Sequence, residues 1–125
     1  MIKVRAVVKG EPDTLPFMMD FQYPTYSDEG IFYRSVQIIK EKSKRNLKLN
    51  VNESLVLFCS YIVQGLREHR SSQTIEDSGS KILSADDVMI GVPETLRRIT
   101  FDVLIDNLPR KQITLHQPIP LTNLM

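Results

Sequence analysis

From Ile2 to Val8 the chain alternates, with Ile2, Val4, Ala6 and Val8 on one side and Lys3 and Arg5 on the other. A period of two predicts a half-buried strand, and it stops at the turn-forming run Lys9-Gly10-Glu11-Pro12-Asp13. The period is then lost. Leu15 to Tyr26 mixes Pro16 and Pro24 with aromatic and Met residues, and reads as an irregular packed loop whose Phe17, Phe21 and Tyr23 cover apolar surface.

Helical spacing follows. Ser27-Asp28-Glu29-Gly30 has the acidic character of a helix start, and Phe32, Val36 and Ile39 share one face of the run Ile31 to Asn46. Its last turns carry Lys40, Lys42, Lys44 and Arg45 against Glu41 alone. Cations at the negative end of a helix dipole need no ligand to explain them, so that cluster is read as a solvated terminus. A second helix begins at Asn50 or Asn52, with Glu53 in capping-box position relative to Asn50. From Leu55 to Leu66 it is apolar nearly all round, which marks the buried central helix, and Gly65 within it predicts a close crossing by another helix.

A third helix is expected near Thr74, with Asp77 three positions on, carrying Ile75, Ile82 and Leu83. A fourth, short helix has Ser84 as cap with Asp87 closing Ser-x-x-Asp, Val88-Met89-Ile90 as its body, Gly91 after its end and Pro93 as stop. Alternation then returns: Ile99, Phe101, Val103 and Ile105, and after a loop over Asp106 to Lys111, Ile113 and Leu115. These two runs predict a β-hairpin that Pro118 ends, and the strand Ile2–Val8 is its natural third partner. The fold class is therefore α+β: a layer of three to four helices packed on a small antiparallel sheet.

The chain has 125 residues, 42% of them apolar and 25% charged, which suits one folded domain over 1–125. Sixteen Lys+Arg against fifteen Asp+Glu leave a net charge of +1, too balanced for a dedicated nucleic-acid binder. No run approaches the roughly 20 apolar residues of a membrane span, and the N-terminus lacks the apolar stretch of a secretory signal. The single Cys59 excludes an internal disulfide and suits a reducing cytoplasm, the compartment expected here.

Chemistry-bearing residues are few. The glycines are scattered, so no phosphate loop is formed. One Cys and two His, His69 and His116, give no metal-ligand spacing. Cys59 would have to leave the buried face of its helix to meet either imidazole, so a thiol hydrolase is the weakest reading. Asp86-Asp87 belongs to a first helical turn rather than to a metal site, because adjacent helical residues do not face each other. His116, at a strand end, is a general-base candidate or an interfacial hydrogen bonder.

Three stretches resemble phrases of one family in order and at matching separations. Leu47-Lys48-Leu49-Asn50 with Glu53 resembles Gly-Leu-Lys-Leu-Asn-x-Pro-Glu. Asp87-Val88-Met89-Ile90-Gly91-Val92-Pro93-Glu94 resembles Asp-Val-Met-Glu-Gly-Val-Pro-Glu. Lys111-x-Ile113-Thr114-x-His116-x-Pro118-Ile119 resembles Lys-Leu-Val-Thr-Val-His-x-Pro-Ile. These are phrases of the gamma subunit of bacterial urease, and the resemblance runs from about Ile31 to Pro120. It departs at Asn46, which stands where the family has Gly, at Val51-Asn52 in place of Tyr-Pro, and at Ile90 in place of Glu. The hairpin tip Asn107-Leu108-Pro109-Arg110 lacks the family's Pro-Asp-Gly, and residues 1–29 have no counterpart.

The resemblance implies a helical layer with a C-terminal hairpin. It implies a non-catalytic, structural role beside urease alpha and beta subunits in a threefold assembly. The two nickel ions and the acid–base groups would lie on the alpha subunit, so no catalytic residue, cofactor or metal ligand is expected in this chain. The candidate subunit-interface residues are Lys48, Asn50, Glu94 and His116. Each also has a local role open to it: a solvated amine, a helix cap, a first-turn acid and a locally bonded imidazole. The alternative reading is a stand-alone homo-oligomeric scaffold, a trimer among the options, in which the strand Ile2–Val8 covers the sheet edge in cis or between chains.

Overall fold

In the computed structural model, residues 2–10, 17–23, 26–105 and 109–120 are described. The alternating run at the N-terminus is β1 (Ile2–Lys9), and it occupies the inside of the sheet. It pairs antiparallel on one side with β2 (Phe17–Tyr23) and on the other with β3 (Arg98–Ile105), which pairs in turn with β4 (Lys111–His116). The order is β2-β1-β3-β4. The side chains of one parity form the helix-facing layer: Val4, Ala6 and Val8 lie beside Ile99, Phe101, Val103 and Ile105, followed by Ile113 and Leu115, all buried.

The helices α1 (Tyr26–Lys44), α2 (Val51–Arg67), α3 (Ser72–Ser78) and α4 (Val92–Thr95) complete the α+β fold. The apolar cylinder of α2 is its centre, and Leu55, Phe58, Cys59 and Ile62 are fully buried. Gly65 makes the close approach expected of it: a Cβ there would lie 3.0 Å from Cδ1 of Ile75 on α3. On α1, Val36 and Ile39 face the core, while the side chain of Phe32 lies outside the described residues.

Several local expectations are corrected, most of them by contacts distant in sequence. Phe17 to Tyr23, read as an irregular loop, is a strand because β1 offers it a second ladder; Phe17 packs against the core. The side chains of Phe21 and Tyr23 lie outside the described residues, as does the hairpin tip over 106–108. The third helix starts earlier than Thr74, because Ser71 caps it by accepting from the Thr74 amide at 3.1 Å.

The fourth helix is not built over Ser84 to Ile90. Asp87 does bond back to the Ser84 amide at 2.8 Å, but this closes only a 3₁₀ turn over Ala85–Asp87. Val88 then extends to form a parallel bridge with Leu49, whose amide donates to Asp87 O at 3.0 Å and whose carbonyl accepts from Met89 at 2.8 Å. Backbone pairing across the fold overrides the local capping signal. Gly91, at φ +92°, therefore precedes a helix instead of following one, and Pro93 sits in the first turn of α4 instead of stopping its predecessor.

The cationic end of α1 is only partly a solvated terminus. Lys42 Nζ lies 2.9 Å from both carboxylate oxygens of Glu53, tying the end of α1 to the start of α2. Among the described residues, no helix is long and apolar enough to cross a membrane.

Candidate functional site

The four residues singled out in the sequence fall at two places connected through the chain segment Asp86 to Glu94. Lys48 and Asn50 flank Leu49, the residue bridged to Val88. Lys48 is exposed and donates from Nζ to the main-chain oxygen of Asp86, which fixes the ammonium against the 3₁₀ turn. Asn50 is the N-cap of α2: its Oδ1 accepts from the Glu53 amide at 2.8 Å, and Glu53 Oε1 accepts from the Asn50 amide at 2.9 Å. Glu94 lies half-buried in α4, and His116 is exposed at the end of β4, opposite Arg98. Because α4 leads directly into Arg98, both stand at the end of the sheet where β3 begins.

The ridge Asp86 to Glu94 links the two places, and its apex carries residues that sequence reasoning put inside a helix. Ile90 is entirely exposed, at 105%, and Met89 is half-exposed. The turn beneath them is closed by Val92 N donating to Met89 O at 3.2 Å, with Gly91 supplying the left-handed backbone. The one signal in the sequence was the departure at Ile90, where the resembling phrase carries an acid.

Glu53 supports this corner electrostatically. Burial pushes its carboxyl up, but the Asn50 amide and the Lys42 ammonium outweigh that and hold it below the usual carboxylate range. A lowered folded-state pKa adds stability that is present above the unfolded value of about 4.3 and lost as pH falls through the folded one. Glu53→Gln keeps a capping side chain but removes the charge. It should cost about 1 kcal/mol at neutral pH, and the gap from the parent should close in acid, as read by urea unfolding at both conditions. A gap that persists in acid would assign the cost to packing.

The residues weighed for catalysis do not come together. Cys59 is fully buried on α2, and burial alone pushes its thiol far up, leaving it protonated. His69 and His116 are both exposed, at the end of α2 and the end of β4. Among the described residues no three His, Cys, Asp or Glu converge to hold a metal ion. A cleft of about 310 Å³ beside Leu66, His69, Arg70, Val103, Ile105 and Lys111 includes none of the four interface candidates.

What these elements present is a fixed ammonium, a capped helix start, an exposed turn at Met89-Ile90 and a strand-end imidazole. Comparison with known proteins agrees with the motifs that led to it. A family model described as "Urease, gamma subunit" matches residues 24–119. The urease subunit gamma of Halalkalibacterium halodurans is 31% identical over 96 residues, which is 77% of this chain and 95% of that relative. The urease subunit gamma of Frankia alni matches with the same identity and coverage. All three resembling phrases, and the whole ridge from Asp86 to Glu94, lie inside the matched segment, and the chain belongs to the urease gamma subunit family.

Proposed function

We propose that this chain is a non-catalytic structural subunit of a urease-type assembly, docking through the ridge Asp86 to Glu94 together with Lys48, Asn50 and His116. Its partners in this reading are urease alpha and beta subunits. The nickel ions, which supply the metal-bound chemistry of urea hydrolysis, are held by the alpha subunit. The supporting observation is the match over residues 24–119, which takes in nearly the full length of the gamma relatives. The apolar apex at Met89-Ile90 adds to it, because an isoleucine exposed in full contributes nothing to folding but can contribute to a partner's pocket.

The test is co-expression of the tagged full chain with the alpha and beta subunits of its own host. The complex should co-purify, bind nickel and hydrolyse urea, while the chain alone with added nickel should do neither. Ureolysis by the chain alone, or failure to retain either subunit, would overturn this reading.

A further inference from the structure

The sheet has two edges, and they are treated differently. At the β4 edge the Thr114 amide donates to Glu76 Oε2 on α3 at 2.9 Å, so a carboxylate stands where another strand would lie. That bond also fixes the direction of every backbone group in the sheet. Antiparallel ladders alternate hydrogen-bonded and non-bonded pairs. If Thr114 points outward, its partner Thr100 points toward β1, where it faces Val7. Val7 then bonds to β3, and its other neighbour Met18 directs its amide and carbonyl away from β1. By the period of two, so do Asp20 and Gln22. β2 is the outermost strand on this side of the described sheet.

This second edge carries few of the guards that keep strands apart. Phe17-Met18-Met19-Asp20-Phe21-Gln22-Tyr23 has one charge, no proline and no glycine, and Met18 is 64% exposed. In register, Asp20 is the β2 partner of Arg5 on β1. The family match begins only at residue 24, and the two gamma relatives are matched over 95% of their own length, so they have no counterpart of β1 and β2. A partner fitted to those relatives has had no such edge to recognise. A second copy of this chain always carries the complementary one.

We propose that the outer edge of β2 is a strand-addition surface, and that its occupant is β2 of a second copy, paired antiparallel about a two-fold axis into one continuous sheet. A two-fold pairing uses the same outward groups on both chains. A register shifted by two residues from Asp20 against Asp20 sets that acid opposite Met18 or Gln22 and keeps like charges apart. The proposal stands apart from the docking ridge and does not depend on the urease partnership.

The experiment takes the full chain through a concentration series by sedimentation velocity, with amide exchange followed by NMR. A monomer–dimer equilibrium is expected. The amides of Met18, Asp20 and Gln22 should gain protection with concentration, while those of Phe17, Met19, Phe21 and Tyr23 are protected throughout. Met18→Pro removes an outward donor and leaves the β1 ladder intact, so it should weaken the dimer about tenfold or more. Should that variant unfold, the alternating protection in the unaltered chain still decides the matter. A monomer at every concentration overturns the proposal, as does a dimer whose outward β2 amides exchange unchanged. Protection gained only on adding urease subunits overturns it too, by giving the edge to another partner.

Discussion

Phe101→Ala should lower the unfolding free energy by about 3–5 kcal/mol, the range found when a buried aromatic ring is removed and its cavity persists. Phe101 is fully buried on the helix-facing side of β3, and its strand neighbours in register are Ala6 and Ile113. Neither can fill the space. Ala6 is too small, and Ile113 is held on a strand whose outward Thr114 amide is bonded to Glu76. β3 is itself paired on both sides, so it cannot bend inward without breaking a ladder. A total stability of about 5–15 kcal/mol makes this a large fraction. The loss should show as a lower urea midpoint at unchanged slope. A loss below about 1 kcal/mol would mean that the ring lies outside the core, contrary to the register.

The elements legible in the sequence were those whose periodicity and burial agree. β1, β3 and β4 alternate cleanly because one face meets the helices and the other does not. α2 was legible from its apolar cylinder and from Asn50 and Glu53, whose bonds span three residues and need nothing else. β2 was not. Its run Phe17-Met18-Met19 is apolar on both parities and is bounded by prolines outside the strand, so only the ladder with β1 defines it. The segment Ser84 to Gly91 carried a correct local capping signal, but Leu49 captured its backbone from far along the chain. The contacts Lys42–Glu53 and Glu76–Thr114 were likewise beyond any spacing argument.

The candidate surface divides along the same line. Lys48 and Asn50 could be named from their phrase; Asn50 caps a helix as its local reading had it, whereas Lys48, read as a solvated amine, is tied to Asp86. Met89 and Ile90 were assigned to a helix body because apolar residues normally face inward. They are outside because the Leu49–Val88 bridge extends the chain and Gly91 turns it. An exposed apolar apex therefore follows from two non-local facts. Composition could not reveal it.

Ile90→Glu separates folding from assembly at that apex. Ile90 makes no buried contact to lose, so its replacement should leave the urea midpoint unchanged within about 0.5 kcal/mol. Docked against an urease partner, the same side chain would bury its full apolar surface, worth about 1.5–3 kcal/mol. Glutamate forfeits that burial and brings a charge that must be desolvated. Affinity for the partner subunit, measured by titration with the chain otherwise intact, should fall about ten- to a hundredfold. The direction carries more information than the size. The family phrase has an acid at this position, so a partner suited to that acid would bind the variant more tightly. A partner that has adapted to this chain would bind it less. Weaker binding therefore implies that the facing surface has become apolar along with Ile90, and unchanged binding would remove the ridge from the interface.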